Sequence, residues 1–404
     1  MGPLKDIKIF DLTRVLAGPH CTQILGDLGA DIIKVERVES GDDTRKFAPP
    51  FMQDSNGNDT TQSAYFSGTN RNKRSITLNL NTKQGQNLAK QLIAKSDILV
   101  ENFKVGTLEK YGLDYMSLKK EFPSLIYCSI TGFGQTGPYA NRPAYDALVQ
   151  AMGGVMSLTG EPNGEPMKVG VSIADLMAGM YATVSVLAAL RHRDKTNEGQ
   201  HLDISMLDAH VAWLANQGMN YLATNKNPER LGNQHPNILP YQVMPSKDGY
   251  FVISVGNDAT FERFCKVASC EHLLKDTKFA DAVERVKNRK LVTDKLNEIT
   301  MKQQTKWWLE KLEANNIGCC AINSLEEVFS DPQVLARNMV INMVGTDSNK
   351  NPYKLIANPI KMKDGSISYR RPPPELGEHT KEILKEYLGL DNDTIKELKE
   401  SGVI

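Results

Sequence analysis

Asp175 stands in VGVSIADLMAGMYA (169–182), a carboxylate between small apolar residues and a long apolar run. Two roles suit it. As a helix N-cap it accepts a backbone N–H and complements the helix dipole. As a nucleophile it attacks an activated acyl carbon from surroundings of backbone and small side chains. The local pattern leaves both open. A second stretch, GFGQTG (132–137), follows a strand pattern and spells GxGxxG. A dinucleotide site needs the third glycine to open a helix beneath a pyrophosphate. Here PYANRP follows, and its two prolines dictate an irregular loop. We therefore expect no nicotinamide or flavin, and read Gly132, Gly134, Gln135 and Gly137 as a loop offering N–H groups to a substrate anion or an oxyanion.

Cations come next. NRNKRS (70–75) is either a solvated turn or a phosphate contact, arginine being able to grip phosphate through two parallel hydrogen bonds. KVERVESGDDTR (34–45) ends a strand at Arg37 and adds Arg45. In an open α/β sheet ligands lie beyond the carboxyl ends of the strands, where Arg37, Asn102 and Phe103 all fall. Trp307 and Trp308 read as helix packing, and His201, His210 and His235 as structural. The seven histidines show no HExxH or similar spacing, so no metal is expected. Six cysteines without a CxxC pair fit a reducing compartment.

The elements that must position these residues alternate. IKIFDL (7–12), DIIKVER (31–37), SITLNL (75–80), DILVEN (97–102) and LIYCSITG (125–132) read as strands, with amphipathic helices such as TKQGQNLAKQLIAKS (82–96) between them. Short apolar strands separated by helices predict a parallel sheet covered on both faces. The run after Asp175 is apolar on nearly every side, which predicts a buried helix. Beyond residue 225 the pattern changes to a hairpin turning at Asp248-Gly249, three helical segments, and CCAI (319–322) leading back to the first domain. The expected division is 1–224, large α/β domain; 225–318, small α+β domain; 319–404, return to the large domain. With 48 basic and 48 acidic residues, no net field recruits nucleic acid or an anionic membrane. No run reads as long and apolar enough to span a bilayer. The strand beginning at residue 7 leaves no room for a leader, which points to the cytoplasm, or to the mitochondrial matrix if a leader has been removed.

Taken together, KIFDLTRVLAGPHCTQILGDLGADIIKVER, GDDTR, NKRSITLNL, VENFKVGTLEKYGL, YCSITGFGQTGP, RPAYDALVQAMGG, VSIADLMAG, GQHLDISMLDA and PPPELGEHT resemble, in order and over nearly the whole chain, the family III CoA-transferases, which include formyl-CoA and carnitine CoA-transferases. The opening, GDDTR and RPAYD segments look most similar to the branch acting on dicarboxylates such as glutarate, hydroxymethylglutarate and oxalate. The resemblance implies a doubly wound Rossmann-like large domain, a smaller domain, and two subunits interlocked as linked rings with active sites between them. It places the nucleophile on Asp175. CoA contacts fall on Leu16, Ala17, Arg37, Leu78, Asn81, Asn102, Phe103, Lys110 and Tyr145. At three of these a relative differs, carrying Gln for Leu16, Lys for Asn81 and Arg for Lys110, so at Leu16 and Asn81 the pocket carries over rather than a polar contact.

What this implies chemically is CoA transfer from an acyl-CoA, succinyl-CoA or a similar short donor, to a free carboxylic acid through an aspartyl-CoA thioester. Coenzyme A and acyl-CoA are substrates, and no cofactor is permanently bound. The glycine loop is the expected oxyanion donor. A dicarboxylate acceptor is expected, with Asn233, Gln234 and His235 as contacts for its second carboxylate. Two alternatives are an acyl-CoA racemase, which needs an acid/base pair and carries His where Tyr145 stands here, and a non-catalytic acyl-CoA-binding protein.

Overall fold

The computed structural model describes residues 2–54, 56–345, 352–364 and 367–404. Six parallel strands form the large sheet, in the order Lys73–Thr77, Asp31–Glu36, Lys8–Asp11, Ile98–Glu101, Ile126–Thr131, His201–Ser205. Counted along the chain within this sheet, the order is 3-2-1-4-5-6, the doubly wound arrangement. Successive apolar residues on each strand serve opposite cores. Phe10, Ile33 and Leu99 pack with the Lys83–Ile93, Thr380–Leu388 and Asn392–Glu400 helices, while Ile9, Ile32 and Ile98 pack with the Ala17–Asp27 and Ile173–Thr196 helices. Burial on both faces is why these strands read as continuous apolar runs.

The Ile173–Thr196 helix packs through small residues, Ala174, Ala178, Ala182 and Ala189. Gly179 is required there: a Cβ on it would stand 2.6 Å from the Ala17 carbonyl oxygen. Two expectations about this helix need correcting. It is not buried all round, because Met180, Tyr181, Val184 and Leu187 are exposed in this chain. It is also, by length and mean hydropathy, long and apolar enough to cross a bilayer, and its small-residue face is packed in the core.

The chain forms two compact units whose limits differ from the expected 224 and 319. The large unit holds 1–153, 169–213 and 332–404, and the small unit 154–168 and 214–331. CCAI does not return the chain to the large unit. Gly318–Cys320 pairs antiparallel with Val252–Ser254 as the third strand of the small sheet, beside the hairpin partner Tyr241–Pro245. Trp308 is buried there on Phe251 and Phe264, as expected of packing.

The NRNKRS cations are neither a solvated turn nor free for phosphate. Arg71 pairs with Asp27, Lys73 with Asp11, and Arg74 with Asp31, Glu382 and Glu386, all three cations being buried. Arg45 pairs with Glu36 and lies over the Phe66 ring.

Candidate active site

The reversal point of the sheet lies between Lys8–Asp11 and Ile98–Glu101, and the loops leaving these strands are clasped together. Asn102 accepts the Arg14 N–H at 2.9 Å and donates to the Arg14 carbonyl at 2.7 Å. Its side chain is therefore spent on backbone. Val15 follows with φ 70, a left-handed conformation costly for a β-branched residue, and its N–H is held by Asp42 at 3.2 Å. Asp42 is itself fixed by the buried Lys34 ammonium at 2.9 Å. This shaped turn brings the Ala17 backbone into the cavity that holds Asp175, where its N–H favours the carboxylate charge.

Asp175 is not the N-cap of its helix. Ser172 occupies that position without a capping side-chain bond, and Asp175 sits in the first turn. The cap comes from another element: Asp146 accepts the Ala174 N–H at 2.8 Å and is held by Gln150 at 2.7 Å. Gln150 also accepts the Val169 N–H at 2.8 Å, so one glutamine and one aspartate fix the approach to the helix. Burial pushes the Asp175 carboxyl up to about 7, the Asp146 charge adds to the rise, and the Ala17 N–H opposes it. Tyr65 lies near enough to feel the site: its pKa is raised by burial and by the Asp175 charge, with the Ser172 side chain opposing the rise.

Two cavities adjoin along the carboxyl ends of the strands. One, of about 300 Å³, contains Asp175, Ala17, Tyr145 and Gly132. The other, of about 360 Å³, contains Arg37, Leu78, Asn81 and Tyr111. Arg14 and Phe103 line both. Arg37 is half-exposed, paired with Asp43 and bonded to the Gly41 carbonyl at 3.1 Å; Arg14 shares Asp43 at 3.2 Å. Asn81 accepts from the Tyr111 hydroxyl at 3.0 Å.

Not every expected residue converges. Neither Leu16 nor Lys110 is among the lining residues of either cavity, and Lys110 is exposed. Of the glycine loop only Gly132 borders the Asp175 cavity. Gly134 and Gly137 turn the chain at φ 81 and 91, and the Gln135 N–H is taken by Asp203 at 3.0 Å. The backbone group that favours the Asp175 charge is instead the Ala17 N–H. Gln234 and His235 bond within the small unit, Gln234 to Arg289 at 3.1 Å and His235 to the Asn237 N–H at 3.1 Å. Sequence reasoning passed over Arg14, Tyr65, Tyr111 and Asp146. Arg14 and Asp146 lie inside quoted motifs, whereas nothing local marks Tyr65. Among the described residues, no group of three His, Cys, Asp or Glu side chains is placed to hold a metal.

A model of CoA-transferase family III matches residues 4–380. The succinate–glutarate CoA-transferase of Agrobacterium fabrum is 46% identical over 384 residues, 95% of each chain. The human succinyl-CoA:glutarate CoA-transferase is 41% identical over 100% of this chain and 90% of its own. A crystal structure of a CAIB/BAIF family protein from Brucella suis superposes with a TM-score of 0.84 at 45% identity, covering 96% of this chain and 99% of that one.

Proposed function

Because the chain belongs to CoA-transferase family III, we propose that it carries CoA from succinyl-CoA or a similar short acyl-CoA to a free dicarboxylic acid by way of an aspartyl-CoA thioester on Asp175. The observation that carries this reading is the pair of adjoining cavities, one holding a buried carboxylate and the other arginine and apolar walls, joined through Arg14 and Phe103. An elongated CoA laid across both brings its thioester to Asp175. The names of relatives acting on glutarate and oxalate support the dicarboxylate class.

The Asp175 carboxylate attacks the donor thioester carbonyl, forming a mixed anhydride and releasing CoA thiolate. The thiolate attacks the Asp175 carbonyl, leaving the aspartyl thioester and the donor acid. An acceptor carboxylate attacks that thioester, and the released thiolate takes the acceptor's acyl group, restoring Asp175. No net proton moves. Attack on the Asp175 carbonyl puts the growing charge on an Asp175 oxygen, and the neighbouring Ala17 N–H favours charge there. Among the described residues no histidine lines the Asp175 cavity, and Tyr145 stands in it where a racemase carries its acid/base histidine. The test is incubation with succinyl-CoA and a panel of acids, with product CoA esters and a hydroxylamine-labelled Asp175 peptide read by mass spectrometry. Label elsewhere, or no new ester, defeats the reading.

Since the nucleophile must be ionised, kcat/KM is expected to fall about tenfold per pH unit below about 7. Asp146→Asn keeps an oxygen for the Ala174 N–H, loses the Gln150 bond and removes the like charge. The acid limb then moves to lower pH. An unmoved midpoint in a folded variant removes Asp146 from the tuning of Asp175. Arg37→Ala should raise the acyl-CoA KM about tenfold with kcat unchanged, the low end for a charged hydrogen bond, because Arg37 is half-exposed. An unchanged KM takes Arg37 out of the site.

The active species is proposed to be the interlocked homodimer. Tyr145 (69% exposed), Leu148 and Val184 (58%) leave apolar surface on the large unit for a second copy to cover. Light scattering giving a monomer mass for active protein would rule this out.

A further inference from the structure

We propose that Arg142 is the specificity-determining residue of this protein, pairing with the second carboxylate of a dicarboxylic acceptor while the first attacks at Asp175. The inference rests on the CoA-transfer reading above and adds the group that chooses the acid.

Among the described residues, three cations line the cavity holding Asp175: Arg14, Lys104 and Arg142. Arg14 is drawn to Asp43 at 3.2 Å, which it shares with Arg37, lies over the Phe103 ring, and borders the neighbouring cavity as well. Its charge belongs to the run between the cavities. Arg142 borders only the Asp175 cavity and, among the described residues, has no carboxylate partner. It is nevertheless held in place. Its guanidinium lies 3.8 Å from the Tyr139 ring centre, its N–H closes a turn onto the Tyr139 carbonyl at 2.8 Å, and Tyr139 stands edge-on to Phe133 at 5.8 Å. Pro143 stiffens the chain on its other side. A guanidinium stacked on an aromatic face keeps its charge and its in-plane N–H groups, so it can grip a carboxylate with two parallel bonds. Lys104 offers a mobile point charge without that geometry. A cation held ready in the same cavity as the nucleophile favours an acid that brings a second anion over one that does not.

The experiment compares kcat/KM for glutarate and pentanoate with succinyl-CoA as fixed donor, in the wild type, Arg142→Gln and Arg142→Lys. The wild type should prefer glutarate. In Arg142→Gln that preference should fall by about 30-fold or more through the glutarate value alone, with pentanoate use and the acyl-CoA KM held, and Arg142→Lys should recover part of it. Equal losses for both acids, or a raised acyl-CoA KM, overturn the assignment and make Arg142 a CoA or structural contact. The same loss of preference in Lys104→Gln with Arg142→Gln unaffected also overturns it. A wild type that transfers CoA to neither acid defeats the underlying transfer reading, and the Arg142 assignment falls with it.

Discussion

Asp175→Ala protein is expected to bind acyl-CoA and transfer nothing measurable, a loss on the order of 10⁴-fold or more in kcat, as for removal of other covalent nucleophiles. The structural reason is separation of roles. The second cavity owes nothing to Asp175, being built from the strand ends at Arg37, Leu78 and Asn81. The helix start is held by Asp146 on the Ala174 N–H rather than by Asp175. Deleting the carboxylate therefore removes the proposed covalent relay and leaves both the pocket and the cap in place. It also removes a carboxyl that burial holds near 7, so no stability should be lost by taking it away. Binding measured by calorimetry and turnover measured by ester formation should part company completely. Appreciable transfer by the folded variant would sink the mechanism.

The second large effect is on stability. Asp11→Ala should destabilise the large unit by about 3–5 kcal/mol, the range for breaking a buried ion pair by removing one partner. Asp11 is fully buried and accepts from the Thr13 N–H at 2.8 Å, the Thr22 hydroxyl at 2.6 Å and the Lys73 ammonium at 3.2 Å. Burial works to raise its pKa, yet Lys73, Lys34 and the two hydroxyls outweigh it and hold the carboxyl below its ordinary value. Without Asp11, Lys73 keeps only neutral acceptors, the Pro19 carbonyl and the Asn70 side chain. Chemical denaturation followed by circular dichroism measures the loss, and adding Lys73→Met should recover much of it. A cost below about 1 kcal/mol would show that the remaining oxygens solvate the lysine by themselves.

The parallel sheet was legible because burial on both faces writes itself as apolar runs spaced by amphipathic helices. Boundaries were less so. Nothing in the polar stretch 154–168 announces that it joins the small unit, and CCAI carries no mark of the strand it pairs with, Val252–Ser254. Apolar periodicity says that a face wants cover but not which surface covers it. Ala178 and Ala182 meet the core, whereas Met180 and Val184 do not within this chain. Charges misled for the opposite reason. Arg71, Lys73 and Arg74 look free along the chain because Asp27, Asp11 and Asp31 lie some forty to sixty residues away. The candidate site divides in the same way. Asp175 is conspicuous in its own motif, whereas the Ala17 N–H beside it is a backbone group that no side-chain pattern can announce.

The turn at Val15 bears on how portable this chemistry is. Its left-handed backbone is not a preference of the letters RVLAGP. It is imposed from outside by Asp42 on the Val15 N–H and by Asn102 on both backbone groups of Arg14. A hexapeptide transplanted into another parallel-sheet scaffold would relax to an ordinary conformation and aim its amide elsewhere. The transferable module is the hexapeptide with its two remote anchors and the lysine behind one of them, a unit dispersed over some ninety residues of chain yet compact in space.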